Sequence, residues 1–196
     1  MIIAIINYNS GNIRSVAFTM ERIGVEYLIT DNPEQIRNAD KVIFPGVGEA
    51  GSAMRYLKER KLDKLIASLK QPVLGICLGM QLMCRHSEEG DTGSLGIFDL
   101  SVKQFRKDLS LKVPQIGWNT VTDLDSPLFK GIAENEYMYF VHGYYVEEGP
   151  GKIASATYGL KYAAALNKDN FYAVQFHPEK SGKAGERLLK NFISLK

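Results

Sequence analysis

Residues 73–82 read VLGICLGMQL. The apolar segment Val73 to Ile76 reads as a strand with both faces covered, and the stretch from Leu78 to about Cys84 reads as a helix. Cys77 stands at the junction, between Gly75 and Gly79. A buried cysteine packs as a small hydrophobe and needs no glycine neighbours. Their presence asks for another reason.

Outward from this junction the N-terminal half alternates. IIAII (2–6) reads as a strand, Asn12 to about Ile23 as a helix, and VEYLI (25–29) and KVIF (41–44) as further strands. Helical patterns then run through MRYLKERKLDKLIASL (54–69). Such alternation implies βαβ units, a parallel sheet and an α/β fold class. The C-terminal half changes character: SVKQF, IGWNTV, YMYFV, KIASAT, YAAAL and FYAVQF read as strands at hairpin-like intervals, before a last helix from about Lys183 to Ile193. Part of the sheet is therefore expected to be antiparallel. The polar stretch His86 to Ser94 reads as a surface loop. With no repeat, low-complexity tract or long linker, one domain over 1–196 is expected.

The 196 residues, 45% hydrophobic and 23% charged, suit a globular chain that buries its core without disulfides or structural metal. A net charge of +2 and the absence of a basic run argue against a nucleic-acid partner. The apolar N-terminus has no positive residue before it and soon meets asparagines, so it reads as a strand and not a signal peptide. The longest apolar stretch, near Val73 to Met83, is broken by glycines and falls short of the ~20 residues that cross a bilayer. A cytoplasmic protein with no membrane association is expected. On one helix Cys77 and Cys84 would stand ~10 Å apart, beyond disulfide reach. Two cysteines and three scattered histidines lack zinc-ligand spacing, so neither metal nor cofactor is expected.

Three constellations carry chemistry. Gly75-Ile76-Cys77-Leu78-Gly79 is the thiol analogue of the Gly-x-Ser-x-Gly elbow, where a nucleophile sits on a strained turn between strand and helix. Flanking side chains would collide with the adjoining elements, and the sulfur is expected to stand exposed over the sheet edge. A packed cysteine at a glycine-rich strand end fits the pentapeptide equally well. A thiol nucleophile works with a histidine. His86, in RHSEEGD, reads as a solvated residue, and His142, at a strand end in YFVHGYY, as a structural one. His177 follows FYAVQF and precedes Pro178 and Glu179; if proline keeps the chain extended, His177 and Glu179 project to one side and the carboxylate orients the imidazole. Finally, PGVG (45–48) follows an apolar strand and is free enough to aim an amide at an oxyanion, with the Leu78 amide as a second donor.

Together PGVG, GICLGMQL and FHPEKS resemble the class I glutamine amidotransferases. The resemblance runs over essentially the whole chain through GNIRSV (11–16), PQIGWN (114–119), YFVHGYY (139–145) and HPEKSGKAG (177–185), segments similar to those of members that supply ammonia to a (β/α)8-barrel cyclase. It implies a three-layer, flavodoxin-like α/β fold whose central sheet is mostly parallel with antiparallel additions. It implies that Cys77 attacks the side-chain amide of glutamine, with His177 as base and then acid and Glu179 as its orienter. Gly46, Val47 and Gly48 match the oxyanion strand, which in the family is thought to need a peptide rearrangement when the partner binds its ligand. Gln81 and Glu89 match positions that hold the substrate head group, and Gly143 and Tyr144 match its backbone contacts. Asn12, Trp118, Tyr139 and Lys180 match residues near the ammonia exit and the cyclase interface.

The chain departs from the family in three places. Asn7-Tyr8-Asn9 stands where Asp-Tyr-Gly is usual, Gln115 where a histidine is, and Gly143 where Ser or Thr is. The first two would fit a different interface, and the third puts side-chain assistance to glutamine in doubt. A paralogous synthase, as in surface-sugar amidination, and a non-catalytic binding subunit remain alternatives.

Overall fold

A computed structural model describes residues 1–8, 11–106 and 111–195; Asn9, one of the departing positions, lies outside them. The first half runs β1 (Ile2–Ile6), α1 (Ile13–Arg22), β2 (Glu26–Thr30), α2 (Pro33–Asn38), β3 (Lys41–Phe44), α3 (Ala50–Glu59), α4 (Leu62–Ser68), β4 (Val73–Ile76) and α5 (Leu78–Met83). There follow β5 (Cys84–Ser87), β6 (Thr92–Gly93), β7 (Phe98–Gln104), β8 (Gln115–Val121), β9 (Glu136–His142), β10 (Tyr144–Val146), β11 (Lys152–Tyr158), β12 (Leu160–Lys168), β13 (Phe171–Val174) and α6 (Gly182–Ser194).

Strands β2, β1, β3, β4 and β13 lie side by side and parallel. Beyond β13 the sheet continues through β12, β10, β7, β5 and β6, mostly antiparallel, with β11 paired to β12. Alternation along β1 shows why both faces are covered: Ala4 and Ile6 pack with α2, α3 and α4, whereas Ile3 and Ile5 pack with α1, α6 and the β8–β9 pair. Three layers result. On the second face Leu188, Leu189 and Phe192 of α6 are fully buried, each contributing about 1.5–3 kcal/mol over an exposed position.

The parallel centre sets up the site. Register pairs Phe44 with Gly75 and Val174 with Ile76, so the carboxyl ends of β3, β4 and β13 stand level. The segments that leave them, Pro45–Gly48, Cys77 and Gln175–His177, emerge together at the edge where open α/β sheets hold ligands.

Two local readings are corrected, and one helix is added. The stretch His86 to Ser94 is not a plain loop: it holds part of β5, a 3-10 turn at Glu89–Asp91 and β6, because Ser87 and Thr92 face inward while Arg85 and Glu88 face out. Cys84 begins β5 instead of ending the helix, and both cysteines are buried free thiols. Helix α2 escaped the periodicity because it is one and a half turns long, although its Asn-Pro start is a capping signal: Asn32 Oδ1 accepts from the Glu34 and Gln35 amides.

Candidate active site

Strand β4 hands the chain to α5 without spacer, and the glycines make this possible. A Cβ at Gly79 would overlap the Phe44 carbonyl, and one at Gly75 would come within 3.0 Å of the Gly79 and Met80 backbone. Cys77 takes φ 53°, ψ −108°, a conformation that costs a non-glycine residue on the order of 1–3 kcal/mol. The strained turn directs Sγ into a cavity of about 170 Å³. The sulfur is not exposed over the sheet edge as expected: Cys77 is 5% accessible, because Val141 to Tyr144 close over it and leave the cavity as its opening.

His177 leaves β13 with its N–H donating to the Tyr139 carbonyl (2.8 Å). The chain beyond it is not extended. Pro178 opens a 3-10 turn over Pro178–Lys180, since the fixed φ of proline suits a first helical position. The turn curls Glu179 back beneath the imidazole, and His177 Nδ1 lies 2.8 Å from Glu179 Oε1. A carboxylate oxygen accepts, so Nδ1 carries the proton in the neutral ring and Nε2 is left as the base. Both side chains are shut from solvent. Burial alone would lower the His177 pKa, but Cys77, which bears charge once its proton has moved to the ring, and Glu179 outweigh it and raise the value to about 10.

Cys77 and His177 are close without being aligned. The thiol donates to the Val141 carbonyl (3.6 Å), and Nε2 has no hydrogen-bond partner. Catalytic hydrogen bonds are often long or misaligned before substrate binds. The amide of Leu78, expected as an oxyanion donor, is likewise occupied: it donates to the Gly46 carbonyl at 3.3 Å. Pro45–Gly48 thus presents an acceptor where a donor was expected, and Gly48 sits at φ 125°.

Gln81, Glu89, Gly143, Tyr144, Val47 and Gly48 all line the cavity with Cys77. Gln81 Nε2 donates to the Tyr144 carbonyl (3.1 Å) and to Gln175 Oε1 (3.0 Å), which commits both hydrogens and leaves Oε1. Glu89 accepts from the Ala50 amide (2.8 Å) at the start of α3. Burial raises its pKa, and nearby Glu49 adds to this against the Ala50 hydrogen bond. His142 is structural: Nδ1 donates to the Tyr144 carbonyl (2.7 Å) and Tyr162 lies on its other side. Desolvation holds its pKa down at about 4. His86 pairs with Asp91 at the surface (2.8 Å).

The four residues matched to the ammonia exit and interface separate. Trp118 is 56% exposed and packs edge-on against Tyr139, with ring centroids 5.8 Å apart, and Lys180 is exposed on the 3-10 turn. Asn12 instead reaches inward, donating from Nδ2 to Glu179 Oε1. Gln115 does not belong to an outer face: it is buried and bonded to the Tyr162 hydroxyl (3.0 Å). One site residue was missed altogether. Gln175, fully buried, donates from Nε2 to Cys77 Sγ (3.6 Å), and its only trace in the sequence is a polar residue inside the apolar run FYAVQF. Among the described residues no cluster of acidic, histidine and cysteine side chains could hold a metal ion, and no helix is long and apolar enough to cross a membrane.

A strained cysteine, a buried histidine and a carboxylate at the carboxyl edge of a parallel sheet are the arrangement of an amidotransferase, and the chain belongs to the glutamine amidotransferase class-I family, which it matches over residues 4–195. It is 57% identical over 196 residues, all of both chains, to the imidazole glycerol phosphate synthase subunit HisH of Bacteroides fragilis. To the protein of the same name from Haemophilus influenzae it is 47% identical over 192 residues, 97% of this chain and 96% of the relative. Among solved structures, a GMP synthase-type protein of Thermoplasma acidophilum superimposes with TM-score 0.75 at 20% identity, covering 98% of this chain and 92% of the other. PurLQS of Thermotoga maritima does so with TM-score 0.71 at 16% identity, covering 98% and 97%. These two likenesses concern the fold.

Proposed function

We propose that this chain hydrolyses L-glutamine to glutamate and ammonia and passes the ammonia to a cyclase partner that makes imidazole glycerol phosphate and AICAR in histidine biosynthesis. The observation that carries the reading is the contiguity of Cys77, which lines the cavity, with His177 and Glu179, in a chain similar to HisH from end to end.

His177 Nε2 takes the Cys77 proton, and the thiolate attacks the side-chain carbonyl of glutamine. The imidazolium so formed is held by Glu179, which in turn is held by Asn12. Its proton goes to the amide nitrogen, the C–N bond breaks, and ammonia leaves a thioester. Water, deprotonated by the same nitrogen, attacks the thioester; the C–S bond breaks, and glutamate and the thiol are released. The free Oε1 of Gln81 and the carboxylate of Glu89 suit the substrate's ammonium. The Leu78 and Val47 amides serve the oxyanion once the Gly46 carbonyl has turned away.

Ammonia in bulk water at neutral pH is mostly ammonium and no longer a nucleophile, so delivery to a docked partner has a chemical purpose. The proposed docking face holds Trp118, Tyr139 and Lys180, with tryptophan as an anchor, against a (β/α)8-barrel cyclase subunit in a heterodimer. Tyr139 links that face to the site: its carbonyl accepts from His177 and its amide donates to Ser181 Oγ (3.0 Å). The setting is cytoplasmic, without cofactor, metal or nucleic acid. Cys77→Ala, assayed for glutamate release with the partner present, is expected to abolish turnover and leave partner binding intact. Unchanged turnover would overturn the reading.

A further inference from the structure

Beneath the sulfur lies a pair of buried amides whose directions can be worked out. Gln175 Nε2 is 3.6 Å from Cys77 Sγ. Gln81 Nε2 is 3.0 Å from Gln175 Oε1 and 3.1 Å from the Tyr144 carbonyl oxygen. A backbone carbonyl can only accept, so the Gln81 atom facing Tyr144 is the nitrogen. The second hydrogen of that NH₂ then needs an acceptor, which makes the facing Gln175 atom the oxygen. The other end of the Gln175 amide, the end against the sulfur, is therefore N–H. Reversing either amide would set two acceptors or two donors face to face in a buried site, an expensive arrangement.

We propose that Gln175 is a further catalytic residue, its amide N–H donating to the Cys77 sulfur so as to favour the thiolate, and that Gln81 is the positioning residue that fixes its direction. This deepens the glutaminase reading above and rests on it. In the resting thiol the S–H points at the Val141 carbonyl (3.6 Å) while a sulfur lone pair accepts from Gln175. When His177 removes the proton, the Val141 carbonyl becomes an unfavourable neighbour of the negative sulfur. The Gln175 N–H stays and strengthens, because a hydrogen bond to the charged form favours that form. A core position between Val174 and Phe176, both fully buried, has no packing need for an amide; an apolar side chain of like volume would fill it.

The test is the pH dependence of Cys77 alkylation by iodoacetamide, with Cys77→Ala as the background from Cys84, on the full chain and on its complex. Gln175→Met removes the donor at similar volume. Its alkylation midpoint is expected to rise by about one pH unit, with roughly tenfold slower alkylation below the midpoint and a comparable fall in kcat at little change in KM. Gln175→Glu, which sets a carboxylate oxygen against the sulfur, is expected to rise further. Gln81→Met leaves the donor without its guide and is expected to shift the midpoint less than Gln175→Met, adding nothing to it in the double variant. An unshifted or lowered midpoint in Gln175→Met overturns the proposal. If that variant does not fold, the same result in Gln175→Glu and Gln81→Met does so. The glutaminase reading fails separately, when Cys77 of the unmodified chain alkylates no faster than Cys84 or when Cys77→Ala still releases glutamate.

Discussion

Replacing Val47 by proline should slow glutamine hydrolysis by the complex about 10²–10³-fold in kcat and leave KM nearly unchanged. In the resting chain the Leu78 amide donates to the Gly46 carbonyl at 3.3 Å, so the amide next to Cys77, the proposed nucleophile, is occupied. The Gly46 carbonyl and the Val47 N–H belong to one planar peptide and point in opposite directions. Turning that peptide over removes the acceptor from Leu78 and sets a second donor beside it, converting a blocked site into a pair of donors. The bond given up is worth about 1 kcal/mol net, against the ~2.7–4 kcal/mol that one oxyanion donor supplies. The developing oxyanion therefore favours the turned-over peptide. Proline at 47 has no N–H to present, so one of the two donors is lost. The ground-state carbonyl gains little from either donor, which places the loss in kcat and not in KM. Initial rates of glutamate release against glutamine concentration, for both complexes, measure this, with alkylation of Cys77 confirming that the nucleophile is intact. A Val47→Pro complex with unchanged kcat, or with its whole deficit in KM, refutes the reasoning. So does a chain without its partner that turns over as fast as the complex, since the resting peptide is the blocked one.

Glu179→Gln keeps the shape beneath His177 but removes the charge that steadies the imidazolium, and should cost about 10²–10⁴ in kcat; a steady-state rate near that of the unmodified chain would discard the orienting role. At Gly143 a Cβ would meet nothing closer than 3.8 Å. Gly143→Ser should therefore fold with equal or higher stability, by up to about 1 kcal/mol from reduced chain entropy, and a lowered Tm in a thermal melt would show a clash that the cavity lining does not reveal.

The parts of the site legible in the sequence are those where a side chain must be one residue type. Gly75 and Gly79 are forced by backbone contact, and they betray the elbow that Cys77 occupies. His177 and Glu179 were legible as a pair, although for the wrong geometric reason: proline begins a turn here and does not hold an extended chain. Burial was harder to read. A thiol lifted by a sharp turn looks exposed until β9 and β10, distant in the chain, are known to close over it. Gln115 looked like an interface position until its bond to Tyr162 placed it in the interior. Gln175 carried almost no signal, since a glutamine in an apolar run becomes informative only when its neighbours in space are known. The parallel half of the sheet followed from alternating periods, whereas the His86–Ser94 region hid short strands among charges that point outward.

What no residue letter encodes is the direction of a peptide. The Gly46 carbonyl decides whether Leu78 is free, the Val141 carbonyl decides where the thiol proton points, and the Tyr144 carbonyl decides which end of Gln175 meets the sulfur. All three are backbone atoms, and side-chain replacement leaves each of them in place. The site can therefore keep every side chain its chemistry requires and still rest in an idle state. On the proposed function the partner would act by reorienting a backbone, and the Tyr139 carbonyl and amide, joined to the His177–Ser181 turn from β9, offer a connection through which docking can reach the site. A perturbation that separates idle from active must act on the main chain, which is why proline at 47, and not a changed side chain, distinguishes the two.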